Sequence, residues 1–235
     1  MGMAYFLFRK RVAPGTDQAS TGRGKLLQGR ASYGWVLRNK NMIMVSLVMM
    51  VGGAGRDGGV NIAYLGPHFA NDFDMSPTMV GVAISAMQAG GVIGPIALGW
   101  ISDRVSQIAV IQVSLAMSAV ATVWLAFQGA YLPFLLLNLV FYGIVTRSRM
   151  TLTQAMVADA LPDEDRDAAF SVFFLGFLSA PFWAILVGVL MDNYGFNIAF
   201  GILAVSYIAG MALMLFVSDP RNDSKKPMPA TTLAG

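Results

Sequence analysis

Residues 77–104 read PTMVGVAISAMQAGGVIGPIALGWISDR, and the interpretation of this stretch decides the fold. Ser76 and Pro77 open it: a hydroxyl suited to an N-cap, then the residue whose missing N–H is harmless at the first helical position. From Pro77 to Ser102 no side chain carries a formal charge. That run exceeds the roughly 20 apolar residues a helix needs to cross a bilayer. Charge returns only at Asp103-Arg104, where a membrane boundary is expected.

Working outward, comparable runs give six expected spans at about 42–69, 77–101, 107–127, 131–154, 168–190 and 196–217. The predicted architecture is an all-α integral membrane protein. It has a basic leader over 1–41, a six-helix bundle over 42–217 and a tail over 218–235. Short polar turns at Asn71-Asp72-Phe73-Asp74, Gln128-Gly129-Ala130 and Asn193-Tyr194-Gly195 punctuate the spans.

Composition agrees. The chain is 56% hydrophobic and 12% charged, with mean hydropathy +0.60, against about 25% charged residues in a soluble domain. A soluble bundle of buried helices is the alternative, but it has no reason to sort its basic residues, and they are sorted. Eight Lys and Arg precede the first span, Arg104 and Arg166 lie in the second–third and fourth–fifth connections, and Arg221, Lys225 and Lys226 lie in the tail. The three opposite connections hold none. The positive-inside rule then puts both termini in the cytoplasm, and the expected location is the cell (inner) membrane, with lipid as the surrounding partner.

Several chemistries are excluded. Without cysteine there are no disulfides, thiolate metal sites or thiol nucleophiles. His68 is the sole histidine, which rules out a His-rich metal cluster, and no cofactor is expected. The net charge of +3 sits at membrane flanks without an aromatic-interleaved basic patch, so nucleic acid is not an expected partner. Ser46, Ser85, Ser114, Ser171 and Ser179 lack a G-x-S-x-G setting and no H-E-x-x-H occurs, which argues against an intramembrane enzyme. A T-V-G-Y-G filter is likewise absent.

The end of the opening stretch has an echo. Gly99-Trp100-Ile101-Ser102-Asp103 and Gly188-Val189-Leu190-Met191-Asp192 both read G-x-x-x-D, offset by 89 residues and expected on opposite faces of the bilayer. Each glycine is expected to permit close helix approach, and each Asp to remain hydrated at a boundary. The pattern predicts an inverted three-plus-three repeat.

Polar residues also fall on stripes. Asp57, Asn61, Tyr64 and His68 share one helical face, with Arg56 about 100° to one side. Asn138, Tyr142, Arg149 and Thr153 share another, Arg147 points elsewhere, and Gly81, Ser85 and Gln88 form a thinner stripe. The third and sixth spans hold no acid or base in their interiors.

Three motifs carry a family resemblance. Gly99 to Arg104 resembles the signature between the second and third helices of each half of a major facilitator transporter, usually G-x-x-x-D-[RK]-x-G-[RK], with Val105-Ser106-Gln107 replacing the Gly and the basic end. Ala158 to Arg166 resembles that family's acidic, Pro-containing loop, and Leu190 to Phe200 its turn into a last helix. The family has twelve spans, so the resemblance implies one half, read as the C-terminal one, with placement as the N-terminal half as the alternative. It implies an alternating-access transporter that needs a missing six-helix half or a second copy.

The resemblance also implies that the first and fourth helices line a central cavity while the third and sixth face outward. Arg56, Asn61, Tyr64, Gln88, Asn138, Tyr142 and Arg149 are then the expected contacts to a small, anionic organic solute. Asp57 is the candidate carrier of a coupling proton. Gly99, Asp103, Arg104, Asp159 and Arg166 are the expected latch of one access state. The alternative reading leaves Arg56 and Asp57 paired structurally and Arg149 snorkelling to the surface. Arg147 is expected in a structural or interfacial role, and His68 as a solvated histidine near the outer surface. A non-transporting remnant is the remaining alternative.

Overall fold

The structure is a computed structural model that describes residues 36, 38–53, 61–159 and 166–218. Arg56 and Asp57 lie outside the described residues, as do the basic leader up to residue 35, residues 160–165 and the tail beyond 218.

Local chemistry sets the helix ends. The first helix, α1 (Lys40–Gly52), starts where the Asn39 side chain accepts from the Asn41 and Met42 N–H groups at 3.0 and 3.4 Å. It stops at Gly53, whose left-handed φ of 116° lets its own N–H reach the Met49 carbonyl. Helix α2 is Asn61–Asn71 and α3 is Pro77–Ser102. Ser76 caps α3 as the sequence leads one to expect, its Oγ accepting from Met79 N–H at 3.4 Å. Helices α4 (Gln107–Phe127) and α5 (Leu132–Asp159) follow. Then α6 (Arg166–Phe174) passes through a 3-10 turn, Leu175–Ser179, into α7 (Ala180–Met214).

Helix α7 is broken at Gly195, with φ 81° and ψ 172°, a region open essentially to glycine. Two contacts show that the chain folds back there. Trp183 Nε1 donates to the Met50 carbonyl at 2.8 Å, while a Cβ on Gly210 would lie 2.9 Å from Gly52 Cα. A straight helix would separate Trp183 from Gly210 by about 40 Å, yet both touch the same turn of α1.

Among the described residues three helical runs are long and apolar enough to cross a membrane: Pro77–Ser102, Gln107–Phe127 and Arg166–Met214, the last containing the fold-back. At 28 residues α5 has the length too, but it carries Arg147 and Arg149. Large apolar side chains such as Val92, Ile96, Val113, Val120, Ile185 and Val205 are exposed. In water these faces would be costly; in a bilayer they meet acyl chains.

Helix packing relies on small residues. The tightest contact is α3 against α5, where a Cβ on Gly90 or Gly143 would strike the backbone carbonyl of Val140 or Met87. Such backbone-to-backbone approach is how helices associate where water offers no hydrophobic drive. Helix α4 packs on α5 and α7, and α1 packs on α7. The buried side chains form two clusters, one around Met49, Leu115 and Phe173, the other around Leu65, Leu139 and Phe200. Tyr207 belongs to the first and Tyr142 to the second; their hydroxyls lie 3.4 Å apart.

Candidate functional site

Helix α5 brings two different polar surfaces to the bundle. Asn138, Tyr142, Arg149 and Thr153 do share a face, and all four are buried. Most of that face looks inward to α4 and α7, and of the four only Arg149 also borders an open groove. Asn61 Nδ2 donates to the Tyr142 hydroxyl, which meets the Tyr207 hydroxyl. Arg149, 1% exposed, donates from Nη1 to Ser118 Oγ at 3.2 Å, and its guanidinium carbon lies 4.8 Å from the Tyr207 ring centre. Asn138 Nδ2 donates to Gln128 Oε1 at 3.0 Å.

The physical reason is that helical periodicity reports which side chains share a face, not which neighbour that face meets. Partners exist inside the bundle. Ser114, Ser118 and Thr122 form a buried stripe on α4 at four-residue spacing. Ser114 Oγ donates to the Val145 carbonyl of α5 at 2.6 Å, while Ser118 and Thr122 donate to the carbonyls four residues back. Sequence reasoning missed this stripe because it looked in that span for acids and bases. The i, i+4, i+8 hydroxyl spacing is the signal that finds it.

The second surface is open. A groove of about 250 Å³ lies between α1, α3, α5 and the 3-10 turn, and its polar lining includes Arg147, Thr151 and Gln154, with the buried Arg149 also bordering it. Arg147 Nη2 donates to Gln88 Oε1 of α3 at 2.8 Å. Its aliphatic stem lies over Gly91, where a Cβ would come within 2.8 Å of Arg147 Cγ. Gln88 is exposed here, next to the arginine that the sequence assigned to a structural role.

Tyr64 is placed elsewhere. Its hydroxyl donates to the Ala184 carbonyl at 2.7 Å and tucks against Gly188, where a Cβ would lie 2.8 Å from that oxygen. Gly188 therefore permits close approach as expected. Gly99 does not: among the described residues a Cβ there would meet nothing within 4 Å, so no described helix uses the close approach expected of the first G-x-x-x-D copy.

The charged loop residues gather at one end. Asp103 terminates α3, its N–H reaching the Gly99 carbonyl at 3.1 Å. The Arg104 guanidinium lies 3.5 Å from the Trp100 ring centre. Gln107 Nε2 donates to Asp159 Oδ2 at 2.9 Å, and Arg166 Nε donates to the Ala158 carbonyl at 3.1 Å. These bonds tie the start of α4 to the end of α5, and the end of α5 to the start of α6. At the opposite end, His68 is 6% exposed and stacks on Phe196 with ring centres 3.4 Å apart. The expectation of a solvated histidine is thereby corrected.

The family model described as Major Facilitator Superfamily matches residues 34–233. The chain belongs to the Major Facilitator Superfamily. It is thus a multi-pass membrane protein of a transporter family and not an enzyme. One relative is Dityrosine transporter 1 of Saccharomyces cerevisiae (strain ATCC 204508 / S288c), 24% identical over 150 residues, which are 63% of this chain and 26% of that protein. Among solved structures, the POT family transporter PepTSo, crystallised in meso, is similar with TM-score 0.62 and 19% identity. The match covers 75% of this chain and 37% of that one. The chain thus spans about a quarter of the curated relative's length, and the likeness to PepTSo establishes the shared fold alone.

Proposed function

We infer that this chain forms one six-helix, three-plus-three half of a secondary transporter, which moves a small anionic organic solute by alternating access. The observation that carries the solute class is Arg147 in the lining of the open groove, with Gln88 bonded to its guanidinium. A cation in the membrane region is costly unless it faces a cavity or a partner. Here it faces both, with Gln88 holding the guanidinium and Thr151 and Gln154 close by to orient a bound carboxylate.

The repeat draws support from packing. Helix α3 lies on α5 much as the α6–α7 segment lies on α1, which is the relation an inverted repeat predicts for its second and fifth helices. In this reading Arg147 and Gln88 touch the solute, and Arg56 adds a second cation. Asn61, Asn138, Tyr142 and Arg149 form the polar core behind the groove, Tyr64 braces α2 against α7, and Asp57 carries the coupling proton. Asp103, Arg104, Asp159 and Arg166 latch one access state, with both termini on their side of the membrane. The partner that covers the open groove is a second six-helix half or a second copy of this chain. A dityrosine-like solute, carrying carboxylates and aromatic rings, fits this chemistry and is named for the yeast relative.

The test is counterflow of labelled dityrosine in proteoliposomes holding the chain with its partner half. Arg147→Gln is expected to abolish exchange and Arg147→Lys to retain part of it. Undiminished exchange by Arg147→Gln would overturn the reading.

A further inference from the structure

At the end of the bundle away from Asp103 and Asp159 lies a second cavity, of about 700 Å³, that the solute groove does not use. The ends of α2 and α4 and the Gly195 break of α7 form it. Its lining includes His68, Asp72, Phe127, Gln128, Tyr194 and Phe196. That volume lies within the roughly 300–1,000 Å³ of small-molecule sites. We propose that this cavity binds a small organic ammonium ion, with the Asp72 carboxylate as its counter-charge and the rings of Phe127 and Tyr194 as its walls.

Three observations converge on a cation. First, the Asp72 carboxylate is held in place but not used up. His68 Nδ1–H donates to Asp72 Oδ2 at 2.5 Å, while the Asp72 side chain stays 59% exposed. An ionised carboxylate has about four acceptor positions, so most remain for a ligand. The imidazole that orients it is itself locked by its stack on Phe196.

Second, the charge at this end has one sign. Asp72, Asp74 and Asp192 are exposed there, whereas residues 61–103, 105–146 and 167–218 contain no Lys or Arg at all. A concave surface of one sign raises the local concentration of opposite charge. Third, the aromatic content suits an ammonium group over the electron-rich, negative faces of Phe and Tyr rings, worth about 0.5–1 kcal/mol at exposed sites. Phe127 and Tyr194 are both exposed at the rim. A structural metal ion is a poorer fit, since among the described residues no group of three His, Asp or Glu side chains gathers anywhere.

One wall atom adds polarity. The Gln128 side chain accepts from Asn138 through Oε1, and its buried Nε2 has no hydrogen-bond partner. The inference does not depend on the Arg147 groove, which takes the opposite charge on a different face.

The chain carries its own probe, because His68 is its single histidine. With isotope-labelled histidine and the full chain in lipid nanodiscs, the imidazole gives one set of resonances. Tyramine is expected to shift them saturably, and hydroxyphenylpropionate, an anion of the same size, to leave them in place. Asp72→Asn is expected to weaken tyramine about tenfold. Phe127→Leu, which keeps the His68–Asp72 bond, is expected to weaken it about threefold. Arg147→Gln is expected to bind tyramine as the parent does. A non-saturable response, an equal response to the anion, or unchanged affinity in both Asp72→Asn and Phe127→Leu would overturn the assignment.

Discussion

Arg147 and Arg149 stand two residues apart on α5 and point into different surroundings. Arg147 looks into the open groove and donates to Gln88 Oε1 at 2.8 Å, while Arg149 borders the same groove from a buried position, held against Ser118 and the Tyr207 ring. Two residues rotate a helix by about 200°, so neither side chain can take over the other's position. Arg147 is the more exposed of the two, whereas Arg149 also holds helices together.

Their substitutions should therefore separate function from stability. Arg149→Gln removes a buried charge-assisted bond and is expected to cost about 1.5–3 kcal/mol, read as a lower thermal midpoint in detergent. Arg147→Gln is expected to leave that midpoint within about 0.5 kcal/mol of the parent while counterflow is lost. Equal destabilisation by both would contradict the two-surface arrangement.

The glycines make a sharper comparison. A methyl on Gly143 meets the Met87 carbonyl, whereas one on Gly99 meets open space. Gly143→Ala is expected to push α3 and α5 apart at a cost of about 1–3 kcal/mol and to reduce the monodisperse fraction in size-exclusion chromatography. Gly99→Ala should behave like the parent in the same run. If Gly99→Ala alone aggregates, the assignment of close approach is wrong.

Asn61 and Tyr142 join α2 to α5 inside the bundle. A double-mutant cycle with Asn61→Ala and Tyr142→Phe is expected to give a coupling of about 0.6–1.7 kcal/mol, the range for hydrogen bonds between membrane helices. Additive losses would mean that the two side chains do not cooperate.

Asp103 tests the latch. Neutralising an exposed charge at a helix end changes stability little, so Asp103→Asn is expected to accumulate in the membrane normally and to transport at an altered rate. Should the variant fail to accumulate, Asp103 has a folding role and the latch loses its support.

The backbone plan was legible because membrane solvent imposes simple rules. Uncharged runs of sufficient length predicted α3 and α4 to within a residue, Ser76-Pro77 announced the start of α3, and Asn193-Tyr194-Gly195 marked the break in α7. Charge restricts itself to boundaries when the alternative is hydrocarbon, so these features survive in one dimension. Part of the site was legible as well: Gln88 belonged to a polar stripe on α3, and Asn138, Tyr142 and Arg149 to one on α5. Their destinations were not legible. Asn138 and Tyr142 were expected at a cavity and are buried among helices, Arg149 is buried yet borders the groove, His68 was expected in water and is stacked on Phe196, and Gly99 was expected in a contact that no described residue makes.

By itself the amino-acid order determined a helical membrane protein, the sides of each helix and the points where the chain turns. Only the tertiary structure decided which of two neighbouring arginines is partly exposed in the open groove and which is buried beside it. Rotation about a helix axis is set by residue spacing, but the identity of the facing surface depends on contacts far along the chain, such as Ser118 and Tyr207 closing over Arg149.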